Sequence, residues 1–175
     1  EKAYLFFVTE IEPQISPIND MLNRKMVANK FVKELDSEKY FIYIRGIEKE
    51  IEIFRDENVP LMAEIATESQ KYGSIVGSLT VMIDGKELTL QQAANFIKNP
   101  NREKREEAFK KINEKRLAHA RELDELFNKL VSLRHQVAIN AGFENFRDYM
   151  FAAMGRFDYT PQDCFNFHTA IQQEV

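Results

Sequence analysis

Three histidines, one cysteine and 28 acidic side chains are the residues of this 175-residue chain best suited to hold a metal or move a proton. A helical protease zinc site needs two histidines four apart with a glutamate beside the first, because positions i and i+4 share a helix face. No His-Glu-x-x-His is present. His119 and His135 lie about 160° apart around a common helix axis at ~100° per residue, so they cannot chelate one ion together. The residues three before the histidines are Arg116, Ser132 and Phe165, which excludes the Glu-x-x-His pattern of di-iron bundles. Cys164 and His168 are four apart and share a face, half of a metal site or a Cys–His pair. No other histidine has a reason to complete it, and Cys164 reads as a small buried hydrophobe beside Phe165 and Phe167. Gly73-Ser74-Ile75-Val76-Gly77 lacks the lysine of a phosphate loop and the central serine of a nucleophile elbow. It reads as a helix stop and strand entry. Carboxylates such as Glu48 and Glu52 fall on a solvated face, where an acid–base pair would lack a pocket. Residue by residue, the chain carries no recognisable catalytic apparatus.

The elements that position these residues are mostly helices. Gly and Pro number only 6 and 5, few breakers for a chain of this length. Ser16-Pro17 reads as a cap and first helical position, opening a helix to about residue 35. Ser37 can cap the next, whose Tyr40, Ile44, Ile47, Ile51 and Phe54 make one stripe, with Glu48, Lys49, Glu52 and Arg55 opposite. A third helix begins at Pro60 and stops at Gly73. Residues 78–89 alternate around Asp84-Gly85, the signature of a β-hairpin, and lead into the capping box Thr89-Leu90-Gln91-Gln92. Asn99-Pro100-Asn101 opens a long helix, about 101–141, with Phe109, Ile112, Leu123, Leu126, Phe127, Leu130, Val137 and Ala141 on its apolar side, ended by Gly142. A short helix around 145–154 follows, then a last one capped by Thr160. The fold class is mainly α: one multi-helix lobe over 1–175 with a long helix and one hairpin.

Net charge is −4, so global electrostatics do not attract nucleic acid. Residues 34–68 hold ten acidic and four basic side chains and residues 101–121 eight basic and four acidic, read as solvated faces of opposite sign. No apolar run reaches a membrane span, and no signal-peptide layout opens the chain. A single cysteine excludes an internal disulfide and a Cys-cluster metal site and agrees with a reducing cytoplasm. Residue 1 is Glu, and the last helix reaches Val175 without a termination signal. Both ends read as cuts from a longer chain.

Six segments occur in a telling order: Glu57-Asn58-Val59-Pro60-Leu61; the hairpin Leu79 to Leu88; Asn101-Arg102-Glu103-Lys104-Arg105-Glu106-Glu107-Ala108; Arg134 to Ala138; Ala141-Gly142-Phe143-Glu144-Asn145-Phe146-Arg147-Asp148-Tyr149; and Arg156-Phe157-Asp158-Tyr159-Thr160-Pro161. From about residue 40 onward this series resembles the N-terminal lobe of oligoendopeptidase F, in the thimet oligopeptidase family of zinc metallopeptidases. The resemblance implies a largely helical, cytoplasmic hydrolase of short peptides whose two lobes enclose a channel that excludes folded proteins. It implies a catalytic lobe with His-Glu-x-x-His and a further Glu ligand, the motif Glu acting as general base on zinc-bound water. In the family that lobe follows the region seen here, so no zinc ligand or catalytic residue transfers to these positions. Zinc then belongs to the parent protein and not to this chain, which is expected to be inactive alone. The implied partners are the missing catalytic lobe, docked on an exposed apolar patch, and short peptides; nucleic acid and membrane are not among them. Arg156, Asp158 and Tyr159 are expected to line the lobe junction or channel wall, the alternative being a local turn held by an Arg–Asp contact with Tyr159 packed below. The alternative for the whole chain is a non-catalytic helical interaction module presenting its long charged helix.

Overall fold

The computed structural model describes residues 2–174. In chain order the elements are α1 (Lys2–Phe6), a π-helical turn (Phe7–Ile11), α2 (Glu12–Val27), a 3₁₀ turn (Lys30–Glu34), α3 (Ser37–Ile53), α4 (Asn58–Ser78), β1 (Thr80–Ile83), β2 (Lys86–Thr89), α5 (Leu90–Ala94), a 3₁₀ turn (Asn95–Lys98), α6 (Arg102–Ala118), α7 (Ala120–Asn140), α8 (Phe146–Ala153) and α9 (Pro161–Glu174). The mainly helical class with one hairpin is what the sequence predicts. No helix among the described residues is long and apolar enough to cross a membrane. The chain divides into two compact units, one running to Ile65 and resuming at Ser132, the other Ala66–Val131. Glu1 and Val175, on which the reading of the chain ends rests, lie outside the described residues.

In the first unit, Val137, Ala138, Ala141 and Tyr149 form the buried cluster, with Ile53, Leu61, Ile65, Phe143, Phe146 and Met150 packed against it. Of the predicted α3 stripe Ile47 is buried, and Tyr40, Ile44, Ile51 and Phe54 are half-buried. The cap of α3 is Asp36, one residue before the predicted Ser37; its Oδ1 accepts from the N–H groups of Glu38 (3.0 Å) and Lys39 (3.1 Å). A carboxylate satisfies those donors and also faces the positive end of the helix dipole. Helix does not begin at Ser16. It is continuous from Lys2, and Pro17 lies inside α2, where the Ser16 hydroxyl donates back to the Glu12 carbonyl at 3.0 Å. The proline N1 preference is one permitted placement among several, and one missing backbone bond is tolerated here. Beyond Val27 the predicted helix to residue 35 gives way to the 3₁₀ turn, started by the Asn29 side chain accepting from Phe31 N–H at 3.0 Å.

In the second unit, Leu79, Val81, Ile83, Leu90, Ala93, Ala108 and Ile112 form the core, with Leu88 and Phe96 against it. The hairpin pairs Val81 with Leu88 and Ile83 with Lys86. Its turn carries φ of +50° at Asp84 and +73° at Gly85, the positive values that this two-residue turn demands. The capping box is formed: Gln92 N–H donates to Thr89 Oγ1 at 3.3 Å and Thr89 N–H to Gln92 Oε1 at 3.0 Å.

Two boundaries differ from the sequence reading. Gly73 does not end α4, which runs on to Ser78. A glycine stop needs left-handed backbone, and positive φ occurs among the described glycines only at Gly85, Gly142 and Gly155. The predicted long helix over 101–141 is interrupted at His119, whose φ and ψ are −106° and 7°. His119 N–H bonds back three residues to Arg116, at 3.0 Å, and its Nδ1 lies 3.1 Å from Glu122 Oε2. No glycine or proline marks the break. The exposed faces also differ: Phe109 and Phe127, expected inward, are exposed, whereas Ala108 is fully buried.

Glu68 is a buried charge in this second unit, its carboxylate accepting from Lys129 Nζ (2.7 Å) and Lys71 Nζ (2.8 Å). Lys129 and then Lys71 hold its carboxyl below the usual glutamate value. A depressed folded pKa contributes stability above the unfolded pKa and loses it as pH falls through the folded one. Glu68→Gln is therefore expected to cost about 1–2 kcal/mol at pH 7. The gap from wild type should shrink once pH drops below about 4.3. Urea midpoints at pH 7 and pH 3 check it; an unchanged gap refutes the assignment.

Candidate functional site

The segment after α8 is shaped by its helix end. Gly155 adopts φ +61°. Its N–H donates to Ala152 O at 3.0 Å, and Arg156 N–H donates to Phe151 O at 3.0 Å, the paired bonds of a glycine-terminated helix. A Cβ at residue 155 would stand 3.3 Å from the Phe157 ring. This motif returns residue 156 over residue 151: the Arg156 guanidinium carbon stands 5.0 Å from the Phe151 ring centroid. The Tyr159 ring packs edge-on against the same Phe151 at 5.7 Å. The structure thus brings Arg156 and Tyr159 to one ring.

Asp158 is not part of that group. Its carboxylate lies 3.6 Å from Arg45 Nη1 and is 84% exposed. Arg45 is sandwiched, 4.2 Å from the Phe157 ring centroid and 4.9 Å from that of Phe41. Sequence reasoning missed Arg45, because it belongs neither to the apolar stripe of α3 nor to the charged face opposite it. The available signal was Phe41 four residues earlier, an aromatic–cation pair at helical spacing.

Arg156 and Tyr159 line a surface cleft of 550 Å³ together with Lys49, Arg147, Asp148, Phe151 and Phe157. Arg147 Nε donates to Asp148 Oδ1 at 2.8 Å. That contact, helped by Asn145, holds the Asp148 carboxyl below the usual range, so the two charges cancel at neutral pH. Lys49 pairs with Glu52. Thr160 and Asp163 cap α9 reciprocally, Thr160 N–H donating to Asp163 Oδ2 at 2.7 Å and Asp163 N–H to Thr160 Oγ1 at 3.3 Å. The Thr160 hydroxyl, donating to Asp163 Oδ2 at 2.7 Å, and then the Thr160 N–H hold the Asp163 carboxyl below its ordinary value.

A second concavity, of 310 Å³, is lined by Asp20, Asn23, Glu50, Asn58 and Tyr149 among others. Asp20 Oδ1 is buried there without a hydrogen-bond partner, and most of the other polar groups are paired. Asp20 Oδ2 accepts from Arg24 Nε at 2.7 Å, Arg24 Nη2 donates to Ile51 O at 3.3 Å, and Asn23 Nδ2 donates to Glu50 Oε2 at 3.1 Å. Burial pushes the Tyr149 hydroxyl pKa up, away from use as a base near neutrality. Arg55, read from sequence as solvated surface, is half-buried and donates to Ala141 O at 3.3 Å.

Residues 95–175 match the sequence profile of peptidase family M3. The family is one of metallopeptidases. Arg156, Asp158 and Tyr159 all lie in the M3 stretch, as do Cys164 and His168. Over almost its whole length the chain superposes on a crystal structure described as oligoendopeptidase F, with 25% identity, a TM-score of 0.92, and coverage of 99% of this chain and 31% of the other. The oligoendopeptidase F of Bacillus anthracis str. Ames matches with 24% identity and a TM-score of 0.88, over 97% of this chain and 31% of that one. PZ peptidase A, solved with an inhibitor, matches with 24% identity and a TM-score of 0.90, over 98% of this chain and 31% of its own. None of the curated proteins matches the sequence significantly. The chain is built like the N-terminal lobe of oligoendopeptidase F and spans 31% of the solved chains it resembles.

The remaining candidates in the matched stretch, Cys164 and His168, lie four residues apart on α9. Cys164 is half-buried and not the buried hydrophobe expected, since its neighbours Phe165 and Phe167 are 45% and 64% exposed. The His168 ring lies 6.4 Å from that of Phe167. Among the described residues no three His, Cys, Asp or Glu side chains are grouped to hold a metal ion. No catalytic step is assigned to Cys164 or His168.

Proposed function

We infer that this chain is the N-terminal, non-catalytic part of a cytoplasmic, zinc-dependent oligopeptidase. It forms one wall of a channel that admits short peptides, while the zinc ligands and general base come from the rest of the parent protein. The observation that carries this reading is the full-length match: 99% of this chain lies on 31% of an oligoendopeptidase F chain, and its second half carries the M3 profile. An apolar surface on α9, where Phe165, Phe167 and Ile171 are exposed, supports a lobe that meets further protein.

The test is peptide hydrolysis by the parent protein. Internally quenched peptides of five to ten residues should be cleaved, and a folded protein should be left intact. A chelator should abolish cleavage, by at least ~10³-fold, and added zinc should restore it. The 175-residue chain alone should cleave nothing. Cleavage by the isolated chain, or by metal-stripped parent protein, overturns the reading.

A further inference from the structure

The cleft beneath Arg156 contains one cation that the fold does not neutralise. Three basic side chains line it, against the single carboxylate of Asp148. Lys49 is paired with Glu52 and Arg147 with Asp148. Arg156 is half-buried with its guanidinium carbon 5.0 Å from the Phe151 ring centroid, and it has no carboxylate within ion-pair distance among the described residues. A cation–π contact uses none of a guanidinium's N–H donors, and that fork matches a carboxylate through two parallel hydrogen bonds. Three aromatic rings, Phe151, Phe157 and Tyr159, line the same cleft, whose 550 Å³ is within the range of small-ligand sites.

We propose that this cleft binds the free C-terminal carboxylate of a short peptide, with Arg156 as the anchor. The Phe151–Tyr159 shelf takes the apolar side chain of the last residue. One unpaired guanidinium among aromatic rings suits a monocarboxylate with an apolar attachment; a phosphate site would gather several unpaired cations or backbone N–H groups. That the carboxylate belongs to a peptide rests on the peptidase reading above. The anchor itself rests only on the cleft.

The probe is an N-terminally labelled pentapeptide ending in leucine, made as the free acid and as the C-terminal amide, titrated against the 175-residue chain by fluorescence anisotropy. The acid should bind about 10- to 100-fold tighter than the amide. Arg156→Gln should lower acid affinity to the level of the amide, Arg156→Lys should retain part of the preference, and Tyr159→Ala should weaken both peptides. Equal affinity of acid and amide, no binding of either, or a preference that survives Arg156→Gln overturns the proposal. Displacement of the peptide by inorganic phosphate more readily than by acetate also overturns it. If Arg156→Gln does not fold, the acid–amide comparison on the unaltered chain decides. Loss of the acid preference with zinc-dependent hydrolysis intact in the parent protein sinks the anchor alone. The reverse result sinks the peptidase reading alone.

Discussion

Asn58→Leu is expected to lower the stability of the chain by about 2–3 kcal/mol, the cost of unpairing buried polar groups. Asn58 is 5% exposed and stands at the start of α4. Its Nδ2 donates to the Val137 carbonyl at 3.0 Å, and its Oδ1 accepts from Asn140 Nδ2 at 2.8 Å. Leucine keeps the branched outline with bulkier methyl ends and leaves the Asn140 amide without its acceptor, while the Val137 carbonyl retains only the Ala141 N–H at 3.2 Å. Val137 is fully buried beside Ala138 in the core of this unit, so water has poor access to replace the lost bonds. Urea denaturation followed by circular dichroism reads the change. A loss under about 0.5 kcal/mol, the range of ordinary surface substitutions, would show that Asn58 only fills space.

Leu79→Ala is expected to cost about 3 kcal/mol, within the 2–5 kcal/mol span of buried leucine truncations. Leu79 is 1% exposed and precedes β1 at the centre of the Val81, Ile83 and Leu90 cluster. Its loss opens a cavity where the hairpin meets α5 and α6. Met82→Ala is the control. That side chain lies on the other face of the pleat and is 52% exposed, so its truncation should stay near 0.5 kcal/mol. Hydrogen exchange of the hairpin amides gives an independent readout: protection should fall for Leu79→Ala and hold for Met82→Ala. Equal effects of the two would mean that the hairpin face is assigned wrongly.

Local chemistry was legible wherever it is decided within a few residues. The Asp84-Gly85 turn, the Thr89–Gln92 capping box, the Gly142 helix end and the Thr160 cap all follow from side chains bonding to backbone within one turn of chain. The α3 stripe was legible because a period of 3.6 residues is a property of one helix. The break at His119 was not. It carries no glycine or proline, and a helix as polar as α6 offers no apolar stripe whose phase could reveal the change. Gly73 misled for the converse reason: glycine permits left-handed backbone without requiring it, and inside α4 it stays helical. Phe109 and Phe127 were placed inward because apolar residues usually mark a buried face, yet exposed apolar residues are common and not diagnostic.

The candidate site divides the same way. Arg156 and Tyr159 could be named from a short motif, and the glycine before them could be seen to end a helix. Their meeting on Phe151 and the separate pairing of Asp158 with Arg45 were not legible, since Arg45 is more than a hundred residues away in the chain. The sequence by itself determined the helical class, the hairpin, the Thr89 and Thr160 caps and the ordered segments that point to a peptidase lobe, because each is written in spacing or in contacts within a turn. Only the tertiary structure decided which polar groups are used up and which stay available. Asn58, Glu68 and Arg147 are satisfied by partners, whereas Arg156 has no ion-pair partner among the described residues and lines a cleft. That difference depends on distances between residues that the chain order does not constrain.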